Sequence, residues 1–396
     1  MKNKYFSSIL ILTYFLWILV GHIFSSQYTL LIHIWDIEEE SFFRNINIFF
    51  FFLLITNYTL MYKVNKDTVI DITIIVMVAI CAFTTNKSGT LLNLFLFIII
   101  SKNIKFELIV KAFIAATLSA SFIIFLSDSL GVFPDISSLD LYREDGTYRH
   151  LMGYTFPTLL PAYFFHLSIS YVFIRKDKLS LVELLILLSL NQYMYIMTDT
   201  KAVYYSIVML ALVCIFINKF NISYQSSFPF KNILIILTKW GFILSFILAA
   251  GLQCLYDPSI DWMNDLNQML SGRLQLGRQG FDEYGIKLFG SNVEYVSFSQ
   301  ENKDNKYFFI DSSYQQLLIN YGLVLSSILA IGFYTAGKII AKKNDIYLGI
   351  SIIFLFLHSI TDPQLMLPSY NPFIFIIIYG LSNKYRNNLS SDRCLV

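Results

Sequence analysis

The chain has 396 residues, of which 56% are hydrophobic and 14% charged, with a formal net charge of +2. Without a concentrated basic surface, a nucleic-acid partner is excluded, and the apolar runs are too long for a soluble core. Stretches of about 17–25 apolar residues, the length a helix needs to cross a bilayer, predict an all-α polytopic membrane protein, a single integral domain over 1–396.

In chain order, the hydropathy pattern predicts twelve spans near 5–24, 45–62, 68–84, 90–101, 109–127, 155–174, 180–197, 201–218, 232–252, 313–337, 346–360 and 372–383. The first follows Lys2 and Lys4 and has the outline of a signal peptide, but it lacks a small-residue cleavage site and reads as a retained span. Cys81 and Cys214 fall in apolar spans, Cys254 near a span end and Cys394 in the tail. Their spacing suggests no disulfide. No His/Asp/Glu/Cys spacing suggests a metal site, so neither metal nor cofactor is expected.

Lysine orients the set. With both termini inside, fifteen of the twenty-one lysines fall on inner segments, among them Lys63, Lys102, Lys219, Lys342 and Lys343. The positive-inside rule then gives a cytoplasmic N-terminus and C-terminus. Arginine breaks this pattern, because Arg44, Arg143, Arg149, Arg273 and Arg278 all map outside. Ion pairing with the outer acids would account for them. So would binding of a phosphorylated ligand, whose oxygens suit the planar guanidinium fork.

Four outer segments carry the polar residues. The first, 128–154, ends in REDGTYRH and contains the Asp145-Gly146 turn signal; beyond it, Pro161 predicts a kink in the sixth span. The second is the short TDTK connection, Thr198–Lys201, where Lys201 and Asp199 read either as interfacial residues or as the rim of a cavity. The third and largest, 253–312, sits between spans nine and ten. In it Asp257-Pro258 reads as an N-cap and N1 proline opening an amphipathic helix, with Trp262, Leu266, Leu270 and Leu274 recurring at i+4. The last, Thr361–Pro372, contains three prolines and follows His358.

These segments carry a resemblance. RxDGxxR (Arg143–Arg149) with Gly153-Tyr154, TDTK, SGRLQLGRQGFDEYGIKLFG (Ser271–Gly290) and DSSYQQLLINYG (Asp311–Gly322) follow one another as corresponding stretches do in Wzy-type polymerases. That family lies in the O-antigen polymerase and O-antigen ligase superfamily. The resemblance runs from about Arg143 to Asn371. His150 stands where that pattern has serine, Phe156 and Thr158 replace its histidine and asparagine, and Lys201 replaces its arginine. The 253–312 loop contains no histidine, so a loop-histidine mechanism does not carry over. The resemblance implies a GT-C-type glycosyltransferase architecture in the bacterial cytoplasmic membrane with an outward-facing site. It also implies a reaction that joins undecaprenyl-pyrophosphate-linked oligosaccharide repeat units into capsule, exopolysaccharide or O-antigen. The implied partners are that lipid-linked oligosaccharide, membrane lipid, a flippase and a chain-length regulator.

The implied chemistry needs a cationic fork for the departing pyrophosphate and an acceptor for the incoming hydroxyl proton. Arg273 is favoured for the first role, since it has no acid at i+4, whereas Arg278 has Asp282 there. The two arginines lie about 140° apart on an unbroken helix and would converge only if the chain bent at Gly277 or Gly280. Asp311 is the leading carboxylate, with a helix N-cap as its alternative role. His358, an ionisable group inside a span, is the second candidate, while Glu283 and Glu294 are placed only by location. Arg143, Arg149, Lys201 and Arg278 complete the expected substrate-binding set. A glycan ligase or a repeat-unit transporter would present the same composition, although a transporter is expected to show internal repeats and midplane charges, which are not seen.

Overall fold

In the computed structural model, residues 2–34, 39–61, 66–85, 88–133, 146–225, 229, 231–296 and 307–378 are described. Regular structure among them is helical, with two isolated bridges pairing Ser26 with Tyr154 and Val296 with Phe308. The α-helices are α1 (Lys2–Phe24), α2 (Tyr28–Ile34), α3 (Glu39–Met61), α4 (Lys66–Thr84), α5 (Ser88–Ile100), α6 (Phe106–Ser129), α7 (Leu159–Arg175) and α8 (Leu181–Thr198). They continue as α9 (Lys201–Phe220), α10 (Lys231–Cys254), α11 (Asp261–Met269), α12 (Arg273–Tyr284), α13 (Ser313–Asn320), α14 (Gly322–Lys342) and α15 (Ile346–His358).

Six of these helices are long and apolar enough to cross a bilayer: α1 over Ser7–Phe24, then α6, α8, α9, α10 and α14. They make the chain compatible with a multi-pass membrane protein. Large apolar side chains such as Leu181, Leu185 and Ile196 on α8 are exposed, as suits a face turned to lipid. α5 and α15 have 13 residues each, about 20 Å, too short for the hydrocarbon core. α15 is buried along nearly its whole length and serves as a core helix.

Several expected boundaries shift for local reasons. The single span expected over 313–337 is two helices, broken at Gly322 with φ of +81°. The expected twelfth span begins as a 3-10 helix, Pro372–Ile376, and its residues 379–383 lie outside those described. Pro161 does not kink α7, because the helix starts at Leu159 and the first main-chain bond to Thr158 comes from Ala162. Pro161 therefore sits in the first turn, where its missing N–H has no partner to lose. α8 opens on a capping box, Ser180 and Glu183 exchanging backbone and side-chain hydrogen bonds.

The chain forms two compact units. The first comprises Met1–Phe52, Asn103–Phe228 and Leu367–Phe373. Its centre is an aromatic stack: His22 lies 3.7 Å from Tyr163, and Tyr163 lies 3.7 Å from Tyr370 on its other face. Tyr154 donates or accepts through His22 Nδ1 at 2.9 Å, and the Tyr14 hydroxyl donates to the Pro368 carbonyl at 2.8 Å. These bonds seat the 367–373 segment on α1 and α7.

The second unit comprises Leu53–Lys102, Pro229–Met366 and Ile374–Val396. Here α10, α14 and α15 meet around Phe242, whose ring lies 4.9 Å from Phe333 and 5.8 Å from Phe356. The Tyr314 hydroxyl donates to the Phe356 carbonyl at 2.8 Å, fixing α13 on α15. Lys102 forms a buried ion pair with Asp71 of α4.

Candidate functional site

The expected loop 253–312 is folded, and its start differs from the sequence reading. Asp257 is not a helix cap: its carboxylate accepts from the Ser259 N–H at 2.9 Å and from the Ser259 hydroxyl at 2.7 Å. Those bonds hold its pKa below the usual carboxylate range, and the helix begins four residues later, behind Ile260. Leu266, Leu270 and Leu274 do share one side, packed with Tyr256 and Met263, but Trp262 is exposed.

At the corner between α11 and α12, Asn267 takes the place of a local cap. Its carbonyl accepts from Gly272 at 2.8 Å and its side-chain oxygen accepts from the Gln275 N–H at 3.1 Å. This sets Arg273 as the first residue of α12. Gly277 and Gly280 do not bend that helix; they let it approach its neighbours. A β-carbon on Gly277 would collide with the Gln253 and Gln315 side chains, and one on Gly280 would lie 2.8 Å from Ile310. Gln315 donates to the Gly277 carbonyl.

Because α12 is unbroken, Arg273 and Arg278 point to different sides. Arg278 pairs with Asp282 at 3.0 Å, as the i+4 spacing anticipates, and also donates to the Cys254 carbonyl. Arg273 is not free of acids as its local sequence implies. Its Nε donates to Asp311 Oδ2 at 2.9 Å. Asp311 is not the cap of α13, a position taken by Ser312 without a side-chain bond.

The Asp311 segment is held on two sides. Ile310 belongs to a buried cluster with Val293, Phe308 and Ile319. The Ser313 N–H lies 3.1 Å from the carbonyls of both Ser359 and Asp362, and Ser313 Oγ accepts from Leu365 at 3.1 Å. The end of α15 is thereby brought to the start of α13. There His358 Nε2 lies 3.5 Å from Asp362 Oδ2, with the His358 side chain 3% exposed.

The electrostatics follow from this packing. Burial raises the Asp311 pKa above the ordinary carboxylate range, Arg273 pulls it down through charge and hydrogen bond, and Asp362 adds to the rise. Tyr307 is pushed up to about 12, by burial first and by Asp311 second. One Arg273 donor is engaged by Asp311, and the guanidinium has further donors in its plane. The Arg273 side chain keeps 27% exposure, so the site is reachable. A fixed cation, a carboxylate of raised pKa and a histidine–carboxylate pair suit transfer of a group that leaves as an anion while a proton is taken up.

The sequence reading missed Asp362 and Tyr307. Asp362 stands four residues after His358, a helical spacing that would have found it; Tyr307 carries no such signal. Of the other expected residues, Arg149 donates through Nε to the Thr198 carbonyl at 2.7 Å in the first unit, bringing the last residue of the RxDGxxR stretch onto the TDTK connection. Lys201 is exposed at the start of α9. Arg143 lies outside the described residues. Glu283 accepts from Gln279 at 2.7 Å, and Glu294 is exposed.

Two glycines that end separate stretches of the resemblance meet here. Gly290 has φ of +84° and Gly322 of +81°, and a β-carbon on either would overlap the backbone of the other's segment. Ser291 donates to the Ile319 carbonyl at 2.9 Å, and Leu323 to the Lys287 carbonyl at 3.1 Å. Comparison with known protein families, curated proteins and solved structures finds no match.

Proposed function

We propose that the protein is a polymerase of lipid-linked polysaccharide repeat units, acting at the outer face of a bacterial cytoplasmic membrane. The observation that carries this reading is the Arg273–Asp311 pair. Each residue is singled out by a separate sequence argument, and the two lie 2.9 Å apart across 38 residues of chain.

In the reaction, the acceptor sugar hydroxyl attacks the anomeric carbon of the growing glycan. Its oxygen forms the new glycosidic bond as the bond to undecaprenyl pyrophosphate breaks, and the leaving pyrophosphate takes the electron pair. The ionised Asp311 accepts the hydroxyl proton. Arg273, oriented by Asp311 through Nε, turns its terminal nitrogens to the pyrophosphate oxygens, where a preplaced donor is typically worth about 3–4 kcal/mol of barrier. His358 and Asp362 help to set the local field. Both termini cytoplasmic and a GT-C-type arrangement go with this reading, as do a flippase and a chain-length regulator as partners.

The test is deletion of the protein in its own cell, followed by analysis of the lipid-linked intermediates. Single repeat units should accumulate on the outer leaflet, with no long polymer. Polymer of normal length that fails to reach its final attachment point would overturn the reading in favour of a ligase. Units trapped on the inner leaflet would overturn it in favour of a transporter.

A further inference from the structure

The first unit contains a cavity of about 340 Å³ that the proposed chemistry does not use. Gln27, Phe125, Asp128, Phe133, Tyr148 and His150 lie on its wall together with Tyr193 and Met197. It is assembled from four parts of the chain: the start of α2, the end of α6, the 146–152 segment and the second half of α8.

The walls are fixed by hydrogen bonds. Gln27 donates from its backbone to Gly153 at 2.9 Å and from its amide to the Tyr154 carbonyl at 3.3 Å. The His150 N–H donates to the Met197 carbonyl at 2.8 Å, one residue along from the Arg149–Thr198 bond. The Tyr148 ring meets the His150 ring edge-on at 4.9 Å, and Tyr28 holds Phe133 edge-on at 4.9 Å from behind. The 146–152 segment is therefore held in place as one wall of the pocket.

Its chemistry is selective. The volume falls within the roughly 300–1,000 Å³ of small-ligand sites. Among the described lining residues there is one carboxylate, Asp128, and no lysine or arginine. A phosphate or pyrophosphate would meet the like charge of Asp128 there, with no guanidinium or ammonium among those residues to hold it. Asp128, His150 and Gln27 offer acceptors and donors to hydroxyl groups. Tyr148 and Tyr193, 39% and 42% exposed, offer flat apolar faces to the C–H side of a ring. Polar groups set among aromatic faces are what an uncharged polyhydroxylated ring requires.

We infer that this cavity is a saccharide subsite that binds an uncharged sugar of the glycan, separately from recognition of the lipid pyrophosphate. It deepens the polymerase reading by giving the sugar a place of its own. That reading supplies only the source of the sugar; free saccharide binding stands apart from turnover.

The experiment is saturation-transfer NMR on the purified full chain in detergent, with glucose, galactose and N-acetylglucosamine as probes and inorganic pyrophosphate as the charged contrast. At least one sugar should receive saturation, strongest at the C–H protons of one ring face. Tyr193→Ala and Asp128→Ala should each raise its Kd roughly tenfold or more, with unchanged elution and thermal midpoint. Tyr148→Ala is the second aromatic variant should Tyr193→Ala fold poorly. Arg273→Lys should leave sugar binding intact, so a failed polymerase reading and a failed subsite give different results. No saturation of any probe, saturation indifferent to these variants, or displacement of the sugar by pyrophosphate would overturn the subsite.

Discussion

Arg273 and Asp311 are joined by a 2.9 Å hydrogen bond from Nε to Oδ2, linking the first residue of α12 to the residue two before α13. The bond uses one edge of the guanidinium and orients the rest. A lysine at the same place keeps a charge for Asp311 but has no planar fork. Arg273→Lys should therefore lose about two to three decades of polymer synthesis, the typical cost of removing one preplaced donor. Arg278→Lys should be much milder, because its bonds to Asp282 and Cys254 tie α12 to α10. Polymer length and protein abundance, measured together for both variants, check this. Parental activity in Arg273→Lys would remove the fork role.

The raised pKa of Asp311 fixes the sign of a pH effect. A general base works when ionised, so activity is present above its folded-state pKa and is lost as pH falls through it. With burial the dominant influence, the acid limb should lie above the value of about 3.9 of an ordinary aspartate. The check is a pH profile of polymerisation in membrane vesicles, with folding followed at each pH. A limb at or below the ordinary value would exclude Asp311 as the base.

How much of this was legible in the sequence depends on range. The Arg278–Asp282 bond is an i+4 contact, so spacing alone predicts it. The Arg273 partner is 38 residues away, and no local rule connects them. Hydropathy places the long helices well because burial in lipid acts on whole runs. It passes over the break at Gly322, since a φ of +81° leaves no trace in an apolar average. The start of α11 is misplaced because the Asp257 carboxylate is consumed by Ser259 within its own turn. Asp362 has the i+4 spacing from His358 that marks such a partner, but it lies past the end of α15 beside Pro363, where the pattern reads first as a helix stop.

The interlock of Gly290 and Gly322 should tolerate no side chain. Positive φ costs a non-glycine residue about 1–2 kcal/mol, and each β-carbon would in addition meet opposing backbone rather than a movable side chain. Gly290→Ala and Gly322→Ala should each lower the thermal midpoint of the purified protein and its yield from membranes. Gly285→Ala, at φ of +63° with open space around it, is the control and should cost only the strain. Equal behaviour of all three would show that the close approach has no energetic weight.

Lys102 and Asp71 give a stability test remote from the site. Their side chains are 6% and 2% exposed, so removal of one leaves the other charge buried. Asp71→Ala should cost about 3–5 kcal/mol, whereas replacing both with apolar residues of similar volume should recover most of the loss. Thermal unfolding of the single and double variants in detergent decides it. A double variant no more stable than Asp71→Ala would mean the site depends on something other than the paired charges.

The last prediction concerns sidedness, and α14 makes it sharp. At its first residues, Leu323 and Val324 donate to the carbonyls of Lys287 and Leu288, so the 287–292 segment docks at that end. At its other end stand Lys342 and Lys343. The helix between them has 21 residues, about 30 Å along its axis, the thickness of the hydrocarbon core. Single cysteines at Asn292 and Lys343, both exposed, in a background with the four native cysteines replaced, should therefore label from opposite sides. The lysine bias assigns Lys343 to the cytoplasm, so an impermeant thiol reagent should reach Asn292→Cys in intact cells and Lys343→Cys only after permeabilisation. The reverse pattern would place Arg273 and Asp311 inside and overturn an outward-facing site. Labelling of both from one side would mean that α14 does not cross the membrane at all.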